Sequence, residues 1–534
     1  MGIFSKKARM ALGLGLCTLF GCGCAAGYAA SRPQGDEALL RALYAQSAAA
    51  ARPAAQAGRA ETCAAQPELC GELVICMEAS EADGLTNGAL LQAVREFERL
   101  HPGLELRIET VVGGMTDPAR RERELKALCA AVEAGGGPDL FLFEAWTGRS
   151  CSLWPDLYRA MRQGAFLSCA GPLAAYGVDV FSGGFWQPVM QAGRLGEEQL
   201  LVPLSFTVPV ALAGQKTLEE GGFDPARAGQ SAAAFLEECA SACARRPGQT
   251  VEAGLYPLNF TAQQVLDYDT GEVRLNTPAV RQMLAAQRTL LTAPWRQPEQ
   301  ALRQAIQAGQ GRAYDQQQAA RLESGDCLMA VMEWDCAQEY AQLLAARQVP
   351  AALLAFPNEN GGVTAQVCSA AAIRRDAANP NAAAALLAFL LEEPQQNAGA
   401  YPGTFWGLPV RRDSLDPALD AEYEYWHKIW YLDPSEEQIR QWEEQIGETF
   451  APMDQAERAA YFEQLGQPVP PELRRQLAQI CGRIDAASLP SGWPGGPRPE
   501  EVWSREEAFC RGELTADELI AALQPLLEGY LRKG

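Results

Sequence analysis

Two short stretches place carboxylates beside an indole at the end of an apolar run. One is Leu140-Phe141-Leu142-Phe143 followed by Glu144, Ala145 and Trp146. The other is Cys327-Leu328-Met329-Ala330-Val331-Met332 followed by Glu333, Trp334 and Asp335. A further aromatic, Trp406, stands in the loop-like segment Phe405-Trp406-Gly407. Flat aromatic faces pack on the C–H surface of hydroxyl-rich solutes, and carboxylates accept from their hydroxyls. Such a site needs a few placed polar groups in an aromatic-lined cleft. Glu144, Trp146, Glu333, Trp334, Asp335 and Trp406 are therefore the candidate ligand-binding residues, with Glu78 and Glu81 as weaker ones. The competing role of each tryptophan is packing in a core or between lobes, and packing is favoured for Phe185 and Trp186.

Catalytic chemistry is harder to find. The chain has no G-x-S-x-G, no H-E-x-x-H and no P-loop. Only two histidines occur, His101 and His427, and no repeated CxxC, which argues against zinc. Carboxylate pairs for glycoside hydrolysis are spatial, so the sequence neither supports nor removes them. The expectation is a protein that is not an enzyme and needs no cofactor or metal.

The elements that must position these residues read as alternating strands and helices. Leu73 to Met77 is a buried strand, and Leu90, Leu91, Val94, Phe97 and Leu100 recur at helical spacing. His101-Pro102-Gly103 stops that helix, and Leu104 to Ile108 alternates as a strand. A helix over about 119–133 leads to Gly135-Gly136-Gly137-Pro138-Asp139, strong loop punctuation before the strand ending at Glu144. The order β-α-β-α-β predicts a parallel, doubly wound lobe. In open sheets of this kind ligands sit beyond the carboxyl ends of the strands, where Glu144 and Trp146 fall. A helix follows at Asp156 to Gln163. Leu200 to Val210 carries Pro203 and Pro209 and reads as an extended crossover or edge segment, because proline is disfavoured in central strands. Val265 to Pro278 reads as a hairpin running into a helix capped by Thr277. Strands follow at 325–335, 349–356 and 364–373, and a helix starts at Asn379-Pro380. Beyond about 420 the chain reads as helical, with Thr515-Ala516-Asp517-Glu518 as a capping box.

A chain of 534 residues should hold more than one core. Its net charge of −21 argues against binding nucleic-acid phosphates. Lys6, Lys7 and Arg9 precede an apolar run from Met10 to Phe20, too short to span a bilayer but suited to a signal-peptide core. Leu19-Phe20-Gly21-Cys22 is similar to a bacterial lipobox, which makes Cys22 the candidate lipidation site, although Phe20 departs from the usual small or β-branched residue. The alternative is ordinary cleavage among Ala25 to Ala30. Residues 25–70 form an Ala-rich tether. Export permits disulfides; Cys63 with Cys70 is one spacing that could close a loop, and Cys239 and Cys243 share a helix face.

Several segments, in order, resemble the bacterial extracellular solute-binding proteins of the family-1 type, the maltose-binding-protein-like lipoproteins of ABC importers. They are Phe97 to Leu106, Gly137-Pro138-Asp139-Leu140, Leu201-Val202-Pro203-Leu204, Leu322 to Met329, Ala372 to Leu390, Gly407-Leu408-Pro409-Val410 and the closing helix from Gly512. The resemblance spans about 72–534. It implies an α/β fold of two doubly wound lobes joined by crossover segments, periplasmic-binding-protein-like, with a helical C-terminal extension. It places 72–200 and about 325–400 in an N-terminal lobe, and about 201–324 with 401–534 in a mostly helical C-terminal lobe. It also implies that the strands ending at Glu144 and Glu333 share one sheet, which would make Trp146 and Trp334 an aromatic pair. The implied function is capture of a small solute, a sugar or oligosaccharide, by a lipid-anchored monomer at the cell surface that delivers it to an ABC permease. A sensory role signalling to a membrane receptor is the alternative. Ala211-Leu212-Ala213-Gly214 departs from the family, standing where many members have Tyr-Asn.

Overall fold

In a computed structural model of the chain, the described residues are 69–532 except 80–87, 113–117, 145–152, 155, 254–256, 293–310, 399–404, 432–466, 490–491, 494–495 and 498–499. Trp146, Glu81, Cys22 and the leader and tether lie outside them.

The N-terminal repeat of strand and helix forms as its pattern predicts. Strands β1 (Gly71–Ala79), β2 (Leu104–Val112) and β3 (Leu140–Glu144) are mutually parallel, with β1 between the other two. The helix Gly88–Leu100 between β1 and β2 buries Leu90, Val94 and Phe97, and the Phe97 ring lies 5.5 Å from Phe389 of the helix Pro380–Leu390. Asp139, at the mouth of β3, is a structural tie. Its carboxylate accepts from Val74 N at 3.1 Å and Ala378 N at 2.6 Å, and the Arg374 guanidinium lies 3.9 Å away. Gly135 and Gly137, both at positive φ, turn the chain into that position.

Further along come the small hairpin β4 (Arg194–Leu195) and β5 (Glu198–Gln199), then β6 (Val202–Thr207) and β7 (Pro209–Gly214). Strands β8 (Thr250–Ala253), β9 (Leu266–Asp267), β10 (Glu272–Val273), β11 (Cys327–Glu333), β12 (Ala351–Ala355), β13 (Val363–Ile373), β14 (Leu408–Pro409) and β15 (Ile484–Ser488) follow. One sheet runs β14-β6-β13-β3-β1-β2, with β15 paired to the start of β13; a second runs β12-β7-β11-β8. The chain passes between the two sheets through the single residue Val208, fully buried.

This topology corrects three sequence expectations. The antiparallel partner of β3 is β13, whereas β11 lies in the second sheet between β7 and β8. Trp146 and Trp334 therefore do not follow strands of one sheet. Both β11 and β13 are buried along their whole length, and such a strand carries no mark of its partner. The lobe boundaries shift accordingly: β11 and β12 join the second sheet, while β14 and β15, expected in a helical C-terminal lobe, join the first. The helix Ala516–Arg532 does pack on the second core, through Leu519, Ile520, Leu523 and Leu527. Finally, β6 and β7 are crossover strands as expected, yet each is paired on both sides. Pro203 is tolerated because β14 pairs only with Ser205 and Phe206, and Pro209 because it opens its strand.

The departure Ala211-Leu212-Ala213-Gly214 is explained by place. It is the interior of β7, with Ala211 and Ala213 facing the second core and Leu212 the first. Of the cysteines, Cys70, Cys239 and Cys243 are free thiols, and Cys336 is disulfide-bonded; Cys63 lies outside the described residues.

Candidate functional site

The two sheets meet where β6 ends at Thr207, β7 begins at Pro209 and β11 ends at Glu333. The junction is fastened by the backbone: Trp334 N donates to Val208 O at 2.9 Å and Phe356 N to Pro209 O at 3.1 Å. Glu333 is the N-cap of the helix Trp334–Ala346, and Asp335 stands in its first turn, where a helix end favours negative charge.

Asp335 is the centre of the polar contacts here. Its Oδ1 accepts from Thr207 Oγ1 at 3.2 Å and its Oδ2 from Trp406 Nε1 at 3.0 Å. Thr207 belongs to the first sheet and the loop of Trp406 leads into β14 of that sheet, so one carboxylate of the second lobe is held by two donors of the first. Gly407 makes that loop possible. It sits at φ +93, and a Cβ there would come 2.7 Å from Phe206 O and 3.1 Å from Cys368 Sγ. Only glycine lets the loop lie this close on β6 and bring the Trp406 indole to Asp335.

Burial dominates the electrostatics. Asp335 is raised to about 6 by desolvation, against the hydrogen bonds from Trp406 and Thr207 that favour its charge. Glu333, buried more completely, is pushed well above the ordinary carboxylate range by burial and then by Asp335. The Cys368 thiol on β13 is raised by burial and then by the same two carboxyl groups. Next to this cluster a polar row crosses the first sheet, in which Ser369 pairs in register with Ser205 on one side and Glu144 on the other. The hydroxyls of Ser205 and Ser369 are buried without a hydrogen-bond partner.

Of the candidate residues, the structure brings together Glu333, Asp335 and Trp406. Glu144 closes β3 at the end of the polar row. Trp334 is a correction: it is 2% exposed, packs in the buried cluster that continues from the first sheet onto one face of the second, has its Nε1 unpartnered, and presents no surface to a solute. The reason is that the strand ends one residue earlier, so Trp334 is the first residue of a helix and its ring falls back on the core. Phe185 and Trp186 are buried, as favoured. Sequence reasoning missed Thr207, Ser205, Ser369 and Cys368. Pro203 within β6 and Pro209 after it marked the crossover that carries Thr207 and Ser205, but nothing marked β13 as its neighbour. The hairpin carboxylate Asp267 is used by its own turn, accepting from Asp269 N at 2.8 Å and Thr270 N at 3.1 Å. Among the described residues no cluster of three or more His, Cys, Asp or Glu has a metal-holding arrangement.

No protein-family model and no curated protein sequence matches the chain. Solved structures do. The sugar-binding protein MalE from Xanthomonas citri superposes with a TM-score of 0.52 at 13% identity, covering 87% of this chain and 98% of its own. A chitin oligosaccharide binding protein gives 0.51 at 13% identity, covering 87% of this chain and 99% of its own. At this identity the likeness is one of fold. The chain has the two-lobed α/β fold of the periplasmic-binding-protein-like solute-binding proteins, the architecture that the family-1 resemblance implies.

Proposed function

We propose that the chain is the extracytoplasmic solute-binding component of an ABC importer. It captures a small polar solute, a sugar or oligosaccharide, at the junction of its lobes and presents the closed form to a membrane permease. The observation that carries this reading is Asp335, a carboxylate of one lobe held by Thr207 and Trp406 of the other. A solute hydroxyl entering between these groups finds an acceptor, a hydroxyl and an indole at the point about which the lobes move. Closure is then a population shift driven by contacts to both lobes.

In this reading the chain is a monomer, is not an enzyme, and is tethered to the membrane through an acylated Cys22, with 25–70 as the tether. The fold of the two neighbours supports the solute-binding role, and their sugar and chitin-oligosaccharide ligands support the solute class. Among the described residues no helix is long and apolar enough to cross a membrane, which suits an anchor outside the folded body. A thermal-shift screen over sugars, oligosaccharides, peptides and amino acids tests the reading. The expected result is stabilisation by a sugar or oligosaccharide without turnover; product formation from a glycan would favour a hydrolase instead.

A further inference from the structure

The junction at Val208 is not the only place where the lobes touch. The short helix Leu157–Arg162 belongs to the first core, where it buries Leu157, Ala160 and Met161. Its N-cap, Asp156, is 5% exposed and accepts from Arg159 N through Oδ1 at 3.0 Å. The other oxygen turns to the second lobe. Oδ2 accepts from Tyr268 Oη at 2.7 Å and from Tyr530 Oη at 2.6 Å. Tyr268 follows β9 in the β9–β10 hairpin and Tyr530 lies in the last turn of the helix Ala516–Arg532, and both rings pack on the second core.

The surroundings reinforce this carboxylate. Arg159 lies 3.4 Å from Asp156 Oδ2, donates to Tyr530 O at 3.1 Å and stacks 4.7 Å from the Tyr530 ring. One turn on, Arg162 donates to Asp269 at 2.5 Å and lies over the Tyr268 ring at 5.7 Å. Asp269 is well exposed, so that outer pair adds little by itself. The two tyrosine hydroxyls differ. They are charge-assisted donors to a buried carboxylate, and burial followed by Asp156 raises both phenols well above their ordinary range, so they remain donors at neutral pH.

We propose that Asp156, Tyr268 and Tyr530 form a latch that holds lobe on lobe with no solute between them. All three residues lie outside the candidate binding site, and the latch rests only on the two-lobed fold, not on which solute binds. Its consequence is kinetic. The solute gains access only through the fraction of molecules whose latch is open, and apparent association is slowed by that fraction.

Small-angle X-ray scattering of the solute-free full chain and of Tyr268→Phe/Tyr530→Phe tests the latch. The double variant keeps both rings and removes only the two donors. The expected result is that the wild-type curve fits the arrangement in which Asp156 contacts Tyr268 and Tyr530, while the variant shows a larger radius of gyration and an unchanged circular dichroism spectrum. Tyr530→Phe alone is expected to fall between them, and it carries the test if the double variant does not fold. Identical curves for folded wild type and variants would overturn the latch, as would an already open solute-free wild type. Failure of the sugar-binding reading leaves these curves unaltered, so the two outcomes are separable.

Discussion

Asp335 combines cost and use in one side chain. Its carboxyl is raised to about 6 by burial, against about 3.9 in an unfolded chain. Between about pH 4 and 6 the folded state therefore holds a proton that the unfolded state has released. Stability contributed by this group is full below about pH 4 and is lost as pH rises through about 6. Asp335→Asn removes that loss, because the amide cannot ionise yet still offers one acceptor to Thr207 or Trp406. The variant should be more stable than wild type at pH 7, by about 1 kcal/mol, with a flatter stability profile between pH 4 and 6. Denaturant unfolding at a series of pH values measures both. The proposed binding role accounts for keeping a side chain at such a cost. Trp406→Phe removes the indole donor to Asp335 and part of the ring face, and should weaken solute binding about tenfold with little change in melting temperature. The sequence singled out Glu333, Asp335 and Trp406, which the structure brings together, since acid and aromatic residues next to a strand end or in a loop are visible along the chain. It misassigned Trp334, because one residue of difference between strand end and helix start decides whether a ring faces a cleft or a core.

At the level of elements, the strands and helices before Glu144 were legible because their pattern is local. Hydrophobic spacing and Gly-Pro-Asp punctuation marked them, and farther along the chain Asn379, Thr277 and Thr515 cap their helices with observed hydrogen bonds. Sheet partners were not legible, since β11 and β13 are both uniformly buried and nothing in either run names its neighbour. The same limit hid β15, a strand in a region read as helical. Two elements make exacting demands. Asp139 fastens β1, β3 and the segment before helix Pro380–Leu390; Asp139→Ala leaves Val74 N, Ala378 N and Arg374 without it and should cost roughly 3 kcal/mol in chemical denaturation. Gly407→Ala meets Phe206 O at 2.7 Å with φ +93. It should cost roughly 1–2 kcal/mol and, by moving Trp406, also weaken solute binding; unchanged binding would separate the loop from the site.

The whole molecule is two lobes joined by the β6–β7 passage, by the segment between β12 and β13 and by the chain running from β15 to the C-terminal helices on the second core, with a polar centre at the first of these and the Asp156 contacts elsewhere between the lobes. In the proposed role, solute contacts the join and shifts the lobes toward the closed state. The most direct measurement is isothermal titration calorimetry of wild type and Asp335→Asn with a sugar or oligosaccharide that stabilises the wild type in the thermal-shift screen. The predicted result is an affinity lowered at least tenfold in a variant that is folded and no less stable. Equal affinity in the two proteins would contradict a binding site at Asp335.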